Sequence, residues 1–137
     1  MIVDSSAVIA ILQNEPERPS FADAIENADE CLMSIANWLE CCTVLESRRG
    51  ADGLRDLDRF IGRARIQLVP VDMEQGLLAR EGFSRFGKGR HPAALNYGDC
   101  FAYALARHLR EPLLCKGHDF PKTDIPLAHV GNPRPLN

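Results

Sequence analysis

Long apolar runs are missing from this 137-residue chain, and nothing in it approaches the roughly 20 consecutive apolar residues that a membrane-spanning helix requires. A basic leader is missing too: the chain starts Met1-Ile2-Val3-Asp4, so no secretory signal is expected and a soluble, cytoplasmic protein is. Aromatic residues are scarce, at 7% with one Trp and two Tyr. Neither charge sign dominates. Sixteen Lys and Arg stand against 19 Asp and Glu, for a formal charge of −3, which argues against a surface uniformly coated for nucleic acid but leaves room for a local basic rim. The five cysteines (Cys31, Cys41, Cys42, Cys100 and Cys115) are odd in number and form no CxxC pair. Neither a disulfide framework nor a zinc site is expected from them, and buried thiols in a reducing compartment fit better. His91, His108, His118 and His129 likewise lack zinc-ligand spacing.

What is present suits one domain with a real core: 45% apolar and 26% charged residues, with 10 Gly and 9 Pro, a balance that fits neither disorder, collagen nor coiled coil. Ile2-Val3 reads as a strand that stops at Asp4 and turns into a Ser-capped helix over residues 5–12. Residues 14–19 break that helix, and a second covers residues 20–27. Cys31-Leu32-Met33 reads as a strand, after which Ser34 caps a helix to Arg48 that Gly50 stops. Further helices are expected at about 51–64, from Asp72 to Phe86 and over 97–110, the last capped by Asn96, with strands at 66–71 and 113–115 and a last apolar piece at 125–130. Strands alternating with helices imply a three-layer α/β/α sandwich with a four- or five-stranded parallel sheet. Only the Pro-rich tail, residues 132–137, looks frayed.

Ligands of open parallel sheets lie beyond the carboxyl ends of the strands. Asp4 closes the first strand, Asp119 follows the 113–115 strand, Asp99 sits in the first turn of the Asn96 helix, and Glu40 in the second turn of the Ser34 helix. One such acid is more often a helix cap than a ligand. Four from remote segments on one edge repel one another unless a cation neutralises them or some stay protonated. Carboxylate oxygens suit Mg²⁺, with Mn²⁺ as a substitute. The chemistry that needs such an arrangement is phosphodiester hydrolysis, in which a bound ion lowers the pKa of water and stabilises the leaving oxygen.

The segments Met1-Ile2-Val3-Asp4-Ser5-Ser6-Ala7, Ser34 to Glu40, Leu95-Asn96-Tyr97-Gly98-Asp99-Cys100-Phe101-Ala102, and Leu113-Leu114-Cys115-Lys116-Gly117-His118-Asp119-Phe120 with Thr123-Asp124 resemble a PIN domain, and more narrowly the VapC toxins of VapBC toxin–antitoxin pairs. The resemblance implies a PIN-like domain over residues 1–131 and a Mg²⁺-dependent endoribonuclease that cuts structured RNA (tRNA or rRNA) to stop translation. It also implies a VapB-type antitoxin, a homodimer and a toxin–antitoxin hetero-oligomer. Asp4, Glu40 and Asp99 match the acidic motif positions. Where many relatives carry two acids before the phenylalanine, this chain has His118-Asp119, so the fourth role goes to Asp119, with Asp124 as a substitute. Asp4 and Asp99 would hold the metal, with Ser6, Asn96 and Thr123 supporting the ligands. Lys88, Arg90, His91 and Lys116, with Arg85, would form the basic rim that RNA needs beside an acidic pocket; a solvated loop is the plainer reading of each.

Other signals carry less. Gly82 to Lys88 spells GxxxxGK, but Gly89 stands where a P-loop needs Ser or Thr, and the segment follows a helix. Cys100 with His118 could suggest a thiol nucleophile, yet Cys100 adjoins Asp99 and burial is preferred. Trp38 and Tyr97 could stack on bases, but core packing is the default for both. It is also the default, for the most part, for Phe21, Leu32, Trp38, Leu54, Leu57 and Phe60, which could otherwise receive an antitoxin helix. Two rival functions stay open: a phosphoryl-accepting domain using Asp4 or Asp72, and a non-catalytic RNA-binding or interaction domain whose acids are only caps.

Overall fold

The computed structural model describes residues 1–131; the expected tail at 132–137 lies outside them. The elements follow the order β1 (Ile2–Val3), α1 (Ser5–Leu12), α2 (Arg18–Asn27), β2 (Cys31–Ser34), α3 (Ile35–Ala64), β3 (Ile66–Val69), α4 (Met73–Phe86), α5 (Tyr97–Leu109) and β4 (Leu113–Leu114), with a 3₁₀ turn at Phe120–Lys122. All pairings in the four-stranded sheet are parallel, in the order β3-β2-β1-β4. A single parallel bridge, Leu113 to Leu127, is what the apolar piece at 125–130 contributes. Apolar clusters cover both faces: Leu95, Tyr103, Leu105 and Leu113 belong to one, and Val8, Met33, Leu45 and Leu57 to the other. That is the expected three-layer sandwich.

Local chemistry moves several expected boundaries. The cap of α1 is Asp4 itself, whose carboxylate accepts from the Ser6 N–H; a serine cap was the wrong expectation, because the carboxylate one residue earlier already satisfies the free amide. Pro19 lies inside α2 and does not precede it, since the first turn of a helix needs no N–H there. β3 stops at Val69 because Pro70 follows. Gly50 does break α3, at φ 60° and ψ −145°. Just beyond it the two halves of α3 press together: a Cβ on Gly53 would come 2.5 Å from the Leu45 carbonyl oxygen. Leu45 and Leu57, one from each half, are both fully buried.

The near P-loop lies in α4 and the loop after it. Gly82 packs on the Tyr103 ring, which a Cβ would meet at 2.5 Å, so this glycine serves helix packing. Among the described residues no helix is long and apolar enough to cross a membrane.

Because the atom facing Gly53 belongs to backbone, which cannot swing aside, Gly53→Ala should destabilise the protein by about 1–3 kcal/mol. A lowered urea midpoint with an unchanged slope is the expected reading; an unchanged midpoint would show that α3 can part its halves freely.

Candidate active site

Asp4 is 2% exposed. It is fixed by its place at the end of β1, where its N–H donates to the Leu114 carbonyl at 3.0 Å. One carboxylate oxygen, Oδ2, accepts from the Ser6 N–H at 3.0 Å and from the Ser6 hydroxyl at 2.6 Å. That hydroxyl in turn accepts from the Lys116 N–H at 2.9 Å, which ties the acid to the chain leaving β4. The other oxygen, Oδ1, is buried and has no hydrogen-bond partner. Burial pushes the Asp4 carboxyl up to about 6, against the pull of the two Ser6 bonds, and the charges of Asp99 and Glu40 add to the rise.

Glu40 approaches from α3. Its Oε1 accepts from the Ser5 hydroxyl at 3.1 Å and from Asn37 Nδ2 at 2.8 Å. Asn37 is fully buried, and the same Nδ2 also donates to the Gly98 carbonyl at 3.0 Å, clamping α3 to the first turn of α5. The Glu40 carboxylate lies so close to Gly98 that a Cβ there would meet its atoms at 2.3–2.6 Å. Sequence reasoning missed Ser5, Asn37 and Gly98. The one local signal for Asn37 is an amide three residues before an acid, on the same helix face.

Asp99 is the third acid. Asn96 and Asp99 form a reciprocal capping box: the Asn96 N–H donates to Asp99 Oδ2 at 3.0 Å, and the Asp99 N–H to Asn96 Oδ1 at 2.9 Å. Burial raises the Asp99 carboxyl; the Asn96 bond opposes this, and the charges of Glu40 and Asp119 add to it. Asp119 is exposed and begins the 3₁₀ turn without a side-chain cap bond. Cys115, just after β4, registers three of the acids: burial first, then the charges of Asp4, Asp99 and Asp119, push its thiol up to about 12. Asp124 points elsewhere, pairing with Arg85 at 3.1 Å. Of the two candidates for the fourth position, Asp119 is the one beside the acids.

The expected supporting residues divide. Ser6 and Asn96 bond directly to Asp4 and Asp99. Thr123 donates to the Phe120 carbonyl at 2.7 Å and accepts from the Ile125 N–H, so it shapes the turn beyond Asp119.

The expected basic rim divides as well. Lys116 pairs with Glu15 and Glu17 at 3.3 and 3.5 Å, and Arg85 with Glu81 and Asp124. His91 Nδ1 accepts from the Ala93 N–H, and its ring packs edge-on to Phe86. Lys88 and Arg90 are exposed, and among the described residues neither forms an ion pair. Their loop leads straight into Asn96.

Trp38 and Phe60 are partly buried against the core and Phe21 and Leu57 fully buried in it, as expected. Tyr97 is not: it is 81% exposed, because the first position of α5 faces outward. Cys100 is buried, with its thiol against the Asn96 carbonyl at 3.2 Å, which suits packing and not nucleophilic attack.

Oxygen donors alone, one of them an orphaned buried carboxylate atom, fit a hard divalent ion. Among the described residues no three His, Cys, Asp or Glu side chains are close enough to hold one ion together. Two carboxylates with water completing the shell is nonetheless an ordinary environment for Mg²⁺.

A PIN-domain family model matches residues 1–126. The chain belongs to the PIN-domain family. Within it, the chain is 46% identical over 129 residues to "Ribonuclease VapC" of Mycolicibacterium smegmatis, covering 94% of this chain and all of that relative. The fold is also that of Mycobacterium tuberculosis VapC20, described as a Sarcin-Ricin loop cleaving toxin (TM-score 0.74, 15% identity, 90% of this chain and 95% of that one). It matches equally well VapBC2 of Rickettsia felis bound to a DNA fragment from its promoter (TM-score 0.75, 11% identity, 95% of this chain and 98% of that one). The chain is thus a VapC-type PIN domain.

In this VapC-type domain the raised Asp4 carboxyl has a definite sign. Its folded value of about 6 exceeds the ordinary 3.8, so the folded state holds the proton more tightly, and stability falls as pH rises through that window. Asp4→Asn should therefore stabilise the ion-free protein above pH 6, by up to about 3 kcal/mol, with the gain vanishing towards pH 4. Thermal melts across pH test this. Millimolar Mn²⁺ should raise the wild-type melting point and leave that of Asp4→Asn unchanged.

Proposed function

We propose that this protein is a metal-dependent endoribonuclease, the toxin of a toxin–antitoxin pair, that cuts structured cellular RNA (tRNA or rRNA) in the cytoplasm and so halts translation. The observation that carries the reading is the orphaned Asp4 Oδ1. A buried anionic oxygen without a donor is costly, and a cation is the partner that offsets both its desolvation and the repulsion from Glu40 and Asp99. Asp4 and Asp99 would hold Mg²⁺, or Mn²⁺ in its place. When bound, the ion supplies an activated water and charge stabilisation at the leaving oxygen.

The chain's own residues set the stage for that chemistry. Ser6 and Asn96 each occupy one oxygen of a ligand carboxylate and leave the other oxygen free. Glu40, held by Ser5 and Asn37, is placed to accept a proton or orient water. Asp119, at the exposed rim, completes the acidic set. Lys88 and Arg90 would offset phosphate repulsion at the mouth. A VapB-type antitoxin would silence the enzyme within a hetero-oligomer, and the toxin itself would pair as a homodimer; the promoter-bound VapBC2 neighbour supports the partner. Asp72 is an exposed cap bonded to the Gln75 N–H, so a phosphoryl-acceptor role has no buried acid pair at that position.

Purified protein with Mg²⁺ or Mn²⁺ should cleave RNA and stop when a chelator is added. Asp4→Asn and Asp99→Asn should each lower the rate by about a hundredfold or more, and equal activity in either variant would refute the assignment. RNA binding should weaken steeply with salt, and Lys88→Ala with Arg90→Ala should flatten the log–log salt slope by about 1.4, or roughly 0.7 for each lost phosphate contact. A slope that stays the same would remove these two residues from the rim.

A further inference from the structure

Among the described residues, Tyr97 is the most exposed of the large apolar side chains, at 81%, in a chain with few aromatic residues to spare. It is exposed but not loose. It occupies the first position of α5, whose start is locked by the Asn96–Asp99 capping box, and the next residue, Gly98, is pinned through its carbonyl by the buried Asn37 amide. The ring itself is braced edge-on by Phe101, with centroids 5.0 Å apart and planes at 81°. An edge-on brace leaves ring surface open to solvent. Two residues further along the same turn lies Asp99, and beside Gly98 lies the Glu40 carboxylate.

RNA next to this cluster meets the carboxylates of Asp99 and Glu40, and a cationic side chain placed among them would pair with these acids. Lys116 shows such pairing outside the cluster, where it is held by Glu15 and Glu17. A neutral contact avoids that quenching. Unpaired bases stack on exposed aromatic rings whatever their sequence, and such stacking needs no charge.

We propose that Tyr97 is a substrate-positioning residue, on whose ring an unpaired base next to the scissile phosphate stacks. The proposal rests on the ribonuclease reading above and narrows its substrate to RNA with an unstacked nucleotide at the cut, as in a loop or bulge. Tyr97 acts by holding the nucleotide; it transfers no proton and binds no ion.

The test uses a pool of hairpin RNAs with randomised loops. Binding is measured in the non-cleaving Asp4→Asn background and cleavage in the wild-type background, each with Tyr97 as Tyr, Ala, Phe or Trp. Tyr97→Ala should weaken binding about tenfold and raise KM far more than it lowers kcat, while Tyr97→Phe and Tyr97→Trp retain wild-type behaviour. Light scattering on each variant reads the oligomeric state. Unchanged binding and KM in Tyr97→Ala would overturn the proposal while leaving the ribonuclease reading intact. A Tyr97→Ala protein that loses RNA binding only because it dissociates would assign the ring to a contact between two copies, and would overturn the proposal too. If the wild type cuts no RNA but binding still depends on the Tyr97 ring, the ribonuclease reading fails and the proposal falls with it, leaving the ring as an RNA-binding contact only.

Discussion

The site is organised by one carboxylate asked to do two things. Asp4 caps α1 with one oxygen and presents the other, buried and unpartnered, to the edge of the sheet. The cap fixes where the carboxylate sits, because the backbone of Ser6 cannot move without unwinding the helix. The orphan oxygen makes the same residue electrostatically unfavourable until something positive arrives. Cap and ligand are therefore not competing readings of this acid. The first provides the rigidity that the second requires.

The remaining acids are positioned by the same economy. Asp99 uses Oδ2 in the capping box of α5, and Glu40 is held by a serine from α1 and an asparagine from its own helix. Each carboxylate is thereby tied to the start of a helix that itself starts at the carboxyl edge of the sheet. The helix dipoles favour the ionised forms there, while burial opposes them at Asp4 and Asp99, where the rise in pKa shows that burial prevails.

Much of this was legible in the chain because it is local. The strand ending at Asp4, the Asn96 cap, the break at Gly50 and the alternation of strands with helices all leave marks within a few residues. The two-faced parallel sheet follows from that alternation, and the four acids from the rule that ligands gather at one sheet edge. What stayed hidden depends on partners distant in sequence. Asn37 reads as an ordinary helical amide until Gly98 arrives from 61 residues away. Gly98 reads as a weak helix residue until Glu40 fills the space its missing side chain leaves. Lys116 reads as a free cation until Glu15 and Glu17 pair with it. Tyr97 misled for another reason: aromatic residues are core residues on average, and only the orientation of the first turn of α5 turns this one outward.

The link between Ser6 and Lys116 also bears on when activity can first arise. Asp4 is made long before Leu113–Leu114, yet its strand pairs with them, and its supporting hydroxyl waits for the Lys116 amide. The chain must be synthesised through Lys116 before this corner can close. A nascent chain that stops short of that point lacks a finished reaction centre, so the acids come together only in a chain long enough to complete the sheet.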